Sequence, residues 1–274
     1  MTWIDEEYQG IVRTGFKLKK KLFKGRSPFQ KVEVVDTVGH GKLLLIDGMT
    51  MVSERDEFVY HEMIAHPALF THPDPKNVLV VGGGDGGTVR EVLKHKSVKR
   101  CTLVEIDGLV VEASRKYIPR TAGALSSRRA TVLIEDGVKF VAETKEKFDV
   151  VIVDSTEPFG PAKELFGPTF YRNVKRILTS DGIVVSQAGS PFYEISTIKN
   201  LYRITKPIFP VVEVCLFNNL TYPGGLWAFT FATKGLNPRT ARVRKPDFTT
   251  RWYNGEIHRA CFALPNFLKA AVGR

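Results

Sequence analysis

The stretch Leu79-Val80-Val81-Gly82-Gly83-Gly84-Asp85-Gly86-Gly87 joins a valine-rich run to a segment with helical spacing. It meets the pattern G-x-G-x-x-G through Gly82, Gly84 and Gly87, the spacing with which a chain turns tightly and turns its backbone N–H groups toward a ligand. Glu105 ends the next apolar run, twenty residues beyond Asp85, where a carboxylate grips ribose hydroxyls. These features point to a ligand carrying ribose; the alternative is a glycine-rich turn without a ligand. Asp85 narrows the choice. In a dinucleotide site the loop cradles a pyrophosphate, which a carboxylate inside the loop repels. Two unit charges about 4 Å apart interact by roughly 4 kcal/mol at an effective dielectric near 20, enough to discriminate. The loop therefore favours a ligand with ribose and positive charge but no phosphate.

S-adenosylmethionine and its relatives meet that description. Asp136, in Ile134-Glu135-Asp136-Gly137, closes a third run and can accept a hydrogen bond from an adenine amino group, cap a helix, or do both. Intact S-adenosylmethionine carries a carboxylate on its tail, which Asp85 disfavours, whereas a bare ammonium is welcome there. A decarboxylated cofactor is the physical reading, although a methyltransferase can aim Asp85 at the tail's amino group. Phe148-Asp149-Val150-Val151-Ile152-Val153-Asp154 is a buried type of strand ending in an acid, and Glu157 follows in a stiff loop with Pro158 and Pro161. Two neighbouring carboxylates can hold an amine cation, and one can take its proton before the nitrogen attacks. The alternatives are a structural acid at Asp154 and a solvated charge at Glu157.

The elements that position these groups are legible as alternating strands and helices. Strands are expected at Asn77–Val81, Cys101–Ile106, Thr131–Glu135, Asp149–Asp154 and Gly182–Gln187. Helices are expected at about 87–95, 108–117, 137–144 and 166–178. An earlier helix runs from Glu54 to about Phe70, with Pro67 disturbing its last turn. Such alternation predicts a parallel sheet covered on both faces. Val211–Phe217 and Leu226–Thr233 are separated by only eight residues, too few for a parallel crossover, so they form an antiparallel edge. Before residue 54 the pattern is one of short strands with turns at Gly39-His40-Gly41 and Asp47-Gly48. The expected architecture is an N-terminal β unit over 1–53 and a doubly wound α/β domain over 54–274.

The 274 residues carry 40 Lys and Arg against 29 Asp and Glu, a net charge of +11. That excess suggests an anionic partner such as nucleic acid, or simply solvated basic faces. Lys17, Lys19, Lys20, Lys21 and Lys24 alternate with Phe16, Leu18, Leu22 and Phe23, the pattern of a strand with a wet face rather than a disordered arm. No stretch is apolar for long enough to span a membrane, and Met1 to Glu7 is too acidic for a secretory signal. Cys101, Cys215 and Cys261 are too few and too scattered for a disulfide framework or zinc site, so a reducing cytoplasm is expected.

The chain resembles the polyamine aminopropyltransferases, the spermidine synthase family, over nearly its whole length. The likeness rests on Leu45-Ile46-Asp47-Gly48, Arg55-Asp56-Glu57-Phe58-Val59-Tyr60-His61-Glu62-Met63, Gly82 to Gly86, Val104 to Asp107, Asp136-Gly137 and Asp154-Ser155-Thr156. It continues through Gly160-Pro161, Thr221-Tyr222-Pro223 and the tail Phe262 to Phe267, which resembles bacterial members. The resemblance implies a Rossmann-like, methyltransferase-type domain behind an N-terminal β domain, and a homodimer or homotetramer. The implied reaction moves the aminopropyl group of decarboxylated S-adenosylmethionine, a co-substrate, to an amine, with no prosthetic group and no metal. Gln30, Gly82, Gly84, Asp85, Glu105, Asp136, Gly137 and Pro161 would bind the nucleoside. His61, Asp85, Asp154 and Glu157 would face the acceptor amine, with Asp154 the proton acceptor and Tyr60 and Tyr222 orienting the nitrogen. The family loop usually has Asp where this chain has Glu157, and Phe217-Asn218-Asn219-Leu220 also departs from the family pattern. Putrescine is the expected acceptor; agmatine, cadaverine or a longer polyamine are alternatives, as is a polyamine N-methyltransferase using the same scaffold. The implied substrates are cations, so binding would rest on the local acids against the global charge.

Overall fold

The structure, a computed structural model, describes residues 2–156 and 160–274. Five antiparallel strands come first: β1 (Trp3–Tyr8), β2 (Val12–Arg26), β3 (Lys31–Thr37), β4 (Gly41–Ile46) and β5 (Met49–Ser53), neighbours in chain order. The Asp47-Gly48 turn has φ of 48° and 88°, the left-handed pair that a two-residue hairpin needs. Gln9-Gly10, at 53° and 70°, has the same left-handed pair within the three-residue connection between β1 and β2. The basic run lies on the long strand β2, whose pairing with β3 shifts register twice and so bends it. Alternation buries both faces of the sheet. Phe16, Val35, Leu43 and Leu45 pack on one side, and Val32, Val34, Leu44, Ile46 and Val52 on the other against Val110, Ala113 and Ile118.

The second sheet has the order β11-β12-β10-β9-β6-β7-β8. Its parallel strands are β6 (Asn77–Gly82), β7 (Arg100–Glu105), β8 (Ala130–Ile134), β9 (Phe148–Asp154) and β10 (Leu178–Gly189). β11 (Val211–Asn218) and β12 (Leu226–Thr233) form the antiparallel edge expected from their short connection. Helices α1 (Glu57–Thr71), α2 (Gly87–Lys94), α3 (Gly108–Tyr117), α4 (Pro119–Ala122), α5 (Gly137–Glu143), α6 (Pro168–Ile177), α7 (Ile195–Thr205), α8 (Gly255–Ala260) and α9 (Asn266–Ala271) complete the domain. Helix α1 runs through Pro67 to Thr71, whose hydroxyl donates to the Pro67 carbonyl at 2.7 Å.

Several elements differ from the sequence expectation: α1 begins at Glu57 rather than Glu54, and the short helices α4, α8 and α9 were not expected. β10 begins at Leu178 rather than Gly182, because Thr179 to Gly182 form an irregular stretch of strand and not a turn. α6 is shorter at its start, with Pro168 supplying a first helical position that lacks an unsatisfied N–H. α7 carries a single buried stripe of Ile198, Leu201, Tyr202 and Thr205 that the reading passed over.

Chain order doubles back between β6 and β9: β6 leads outward to β7 and β8, and β9 returns to its other side. Gly82 and Asp154 are direct partners at the carboxyl ends of that pair. A parallel sheet opens its ligand crevice at such a reversal. No helix among the described residues is long and apolar enough to cross a membrane.

Candidate active site

The crevice above β6 and β9 is a cleft of about 1240 Å³ open to solvent, roofed on one side by the N-terminal sheet. Gln30, Tyr60, His61, Gly82, Gly84, Asp85, Glu105, Asp136, Gly137, Asp154 and Tyr222 all line it. Of the other two expected site residues, Glu157 lies outside the described residues. Pro161 lies in a short 3-10 helix over Gly160–Phe166, from which Ala162 and Leu165 reach the cleft wall.

The glycines of the β6–α2 loop are there to let side chains from elsewhere come close. Gly82, Gly83 and Gly86 have φ of 81°, 70° and 83°, a conformation that costs any residue with a Cβ. A methyl group on Gly83 would stand 2.6 Å from Asp154 Oδ2, and one on Gly84 would stand 2.9 Å from Glu105 Oε2. One on Gly87 would overlap the His61 ring. Three functional side chains thus occupy the space that the glycines leave.

Asp154 is held by two hydroxyls: Tyr60 Oη donates to Oδ1 at 2.7 Å and Thr88 Oγ1 to Oδ2 at 2.6 Å. Burial raises its pKa above the ordinary carboxylate value, and the nearby Asp85 charge raises it further, while His61 and the two hydroxyls pull the other way. Such a carboxylate is a stronger proton acceptor than one in water. Asp85 Oδ1 accepts the Gly87 N–H at 2.8 Å and faces His61 Nε2 at 3.2 Å. Burial alone would lower His61, but the Asp85 and Glu57 carboxylates outweigh it and bring its pKa up to about 10. Burial also raises Tyr60, reinforced by the Asp154 and Asp85 charges, so its hydroxyl stays a donor.

The end of the cleft around Glu105 and Asp136 is built from backbone as much as side chain. Glu105 accepts the N–H of Gly84 at 3.1 Å and of Asp107 at 2.9 Å, and burial lifts its pKa to about 7 against those two bonds. Asp136 caps α5 through one oxygen, Oδ1, which takes the N–H of Val138 at 2.7 Å and of Lys139 at 3.2 Å. The exposed carboxylate therefore keeps Oδ2 for a ligand, so capping and binding are compatible. Gln30 is carried by a turn in which Ser27 Oγ accepts the Gln30 N–H at 3.1 Å and donates to Asp107 Oδ2 at 2.7 Å. This ties the first sheet to the β7–α3 loop.

At the other end, Tyr222 donates to the Met51 carbonyl at 2.6 Å, and its ring centroid lies 5.7 Å from that of Tyr60 and 4.8 Å from Trp227. The loop carrying it is pinned to α1, since Asp56 accepts the Thr221 N–H at 2.8 Å as well as the Thr221 hydroxyl. His61, Asp85 and Asp154 place ligand-type atoms within 4.8 Å of one another. Both His61 nitrogens also face carboxylate oxygens, an arrangement that suits a protonated ring.

Sequence reasoning missed several residues of the cleft and of the layer behind it. Gln187 closes β10 at the same edge as Asp154, so its signal was a polar residue ending a buried strand. Thr88 was a hydroxyl directly after the third glycine, and Glu57 an acid one helical turn before His61. Glu6, Tyr8, Met51 and Trp227 enter from distant parts of the chain and left no local signal.

Known proteins agree with this geometry. Residues 57–241 match the family model described as the spermine/spermidine synthase domain, and residues 2–54 match the spermidine synthase tetramerisation domain. The chain is 47% identical to a polyamine aminopropyltransferase of Bacillus cytotoxicus over 97% of both chains. It is 45% identical to one from Methanocaldococcus jannaschii, over 98% of this chain and 94% of that one. A spermidine synthase solved with the transition-state analogue AdoDATO superposes with a TM-score of 0.97 at 42% identity, covering 99% of this chain and 95% of the other. Spermidine synthase from Thermotoga maritima gives 0.94, also at 42% identity, over 99% and 94%. From its amino terminus to the end of its catalytic sheet, the chain belongs to the spermine/spermidine synthase family of polyamine aminopropyltransferases.

Proposed function

We propose that this aminopropyltransferase moves the aminopropyl group of decarboxylated S-adenosylmethionine to putrescine, giving spermidine and 5′-methylthioadenosine. The observation that carries the reading is the pair Asp85 and Asp154 at the mouth of the glycine loop, an arrangement hostile to phosphate and suited to amines. Glu105, Asp136, Gly137 and Gln30 would hold the nucleoside, with Pro161 beside it. Asp85 would take the donor's bare ammonium. Asp154 and Glu157 would hold the acceptor, Tyr60 and Tyr222 orienting its nitrogen.

An ammonium has no lone pair, so Asp154 first takes a proton from the acceptor. The neutral nitrogen then attacks the methylene beside the sulfonium; the C–N bond forms as the C–S bond breaks and its electron pair returns to sulfur. Positive charge on sulfur disappears in that step, so the leaving group needs little stabilisation. Positioning and deprotonation are the enzyme's main contributions.

The chain would act as a homodimer or homotetramer formed through residues 1–53, with residues 54–274 as the catalytic domain; the match of 2–54 to a tetramerisation domain supports this. Three buried free thiols, Cys101, Cys215 and Cys261, support a reducing cytoplasm. Incubating the protein with decarboxylated S-adenosylmethionine and a panel of putrescine, cadaverine, agmatine and spermidine, with products identified by mass, tests the reading. Preferred gain of one aminopropyl group by putrescine is expected. A methyl gain from intact S-adenosylmethionine, or no transfer to any amine, would overturn it.

A further inference from the structure

His61 is gripped from two sides. Its Nδ1 lies 2.6 Å from Glu57 Oε2, one turn earlier on α1, and its Nε2 lies 3.2 Å from Asp85 Oδ1 in the glycine loop. An ionised carboxylate only accepts hydrogen bonds, so two such contacts require an N–H on each nitrogen and a positive ring. Glu57 is fixed in turn. Arg90 on α2 donates Nη1 to Oε1 at 3.0 Å and Nη2 to Oε2 at 2.8 Å, a fork that stops the carboxylate from rotating off the ring. Arg90 is itself anchored through Nε to Glu91 Oε1 at 2.8 Å, and both Glu57 and Glu91 are buried. The ring packs on Gly87, where any side chain would collide with it. The third glycine of the loop pattern therefore seats His61.

We propose that Glu57, locked by Arg90, is a positioning residue that holds a positive His61 ring against Asp85 and so keeps Asp154 free to accept a proton. Two neighbouring buried carboxylates tend to share one proton, and a base that already carries a proton is useless. A fixed imidazolium beside Asp85 offsets that tendency. The groups facing the ring are Glu57 and Tyr60 from α1, Asp85 from the loop and Asp154 from β9, with Arg90 of α2 behind Glu57. Burial would raise Glu57, but His61 and Arg90 hold it down at about 2, so it remains ionised wherever the enzyme works. The role assigned to Asp154 rests on the aminopropyl-transfer reading; the state of the ring does not.

Histidine-labelled protein, with the His61 resonances assigned through His61→Gln, allows a direct NMR titration. In the wild type, His61 should stay protonated at both nitrogens past pH 8. In Glu57→Gln its midpoint should fall by on the order of 1–2 pH units, as expected when one charge partner is lost. Between about pH 8 and 10, where the variant ring loses its charge and the wild-type ring keeps it, kcat of the variant should fall while the KM for the donor holds, because Asp154 loses a neighbouring cation there. Glu57→Asp, which keeps the charge, should recover part of the wild-type pH profile. A wild-type ring that titrates near the ordinary value of about 6.5 would overturn the proposal. So would a Glu57→Gln protein with an unchanged ring midpoint and pH profile. If that variant fails to fold, the wild-type titration decides alone. Absence of aminopropyl transfer with the ring behaving as described would count against the reaction and not against the clamp.

Discussion

Tyr60 donates its hydroxyl proton to Asp154 Oδ1 at 2.7 Å, joining the first turn of α1 to the end of β9. The bond stabilises the ionised carboxylate and so lowers its pKa against the larger effect of burial. Removing it with Tyr60→Phe should raise the Asp154 pKa further. With Asp154 as the proposed base in its ionised form, the pH of half-maximal kcat should move upward. At a fixed pH on that acid limb the loss should reach up to roughly tenfold, one pKa unit's worth. A pH–rate profile in saturating substrates checks this, and an unshifted acid limb would separate Tyr60 from the base.

As the proposed ribose-binding group, Glu105 should give donor binding a pH dependence. With its pKa near 7 it ionises as pH rises through neutrality, and an ionised carboxylate grips ribose hydroxyls and a cationic ligand better than a neutral one. Donor affinity measured calorimetrically should be tighter at pH 8 than at pH 6 by up to about tenfold. Glu105→Gln should flatten the difference.

Gly87→Ala should displace the His61 ring, since the added methyl overlaps it. Overpacking in a dense interior costs about 1–3 kcal/mol, so the fold should survive with a lowered melting temperature. Activity should fall far more than stability. Circular dichroism melting together with kcat separates the two, and full activity in a stable variant would contradict the seating of His61 on Gly87.

Glu62 holds no part of the cleft yet secures the helix that does. Its carboxylate accepts the N–H groups of Arg251, Trp252 and Tyr253, each at 2.8 Å, while 1% exposed. Glu62→Ala leaves three backbone donors unpaired and should cost on the order of 3 kcal/mol, read from urea unfolding. A loss below about 0.5 kcal/mol would mean that water or a rearrangement replaces the carboxylate.

What was legible in the sequence was local. The Asp47-Gly48 hairpin needed two left-handed residues, and the β6 to β9 strands were apolar runs with turn residues at their ends. Asp85, Glu105, Asp136 and Asp154 could be placed because each follows such a run and so projects at the same edge. Helix α7 was less visible: Ser196, Thr197, Asn200 and Thr205 are weak helix formers, and no side chain caps its start. Partners far apart in sequence were invisible. Asp56 meets Thr221 across 165 residues, and Glu62 meets Tyr253 across 191. Nothing in either segment announces the other, because only the packing of α1 against the β11–β12 connection and against the stretch before α8 brings them together. The +11 charge did not help to locate the site, since a sum over the chain carries no information about acids gathered in one cleft.

The central claim is that Asp154 is the proton acceptor in an otherwise preorganised site. Asp154→Asn keeps the shape and one accepting oxygen, with the other hydroxyl turned to accept from the amide, but removes the base. With decarboxylated S-adenosylmethionine and putrescine at pH 8, turnover of the variant should fall by about 10²–10⁴-fold, the usual contribution of a general base. Donor affinity measured on the same preparation should change by less than a factor of about three, because the nucleoside contacts at Glu105 and Asp136 are untouched. A variant that transfers aminopropyl groups at the wild-type rate would contradict the account.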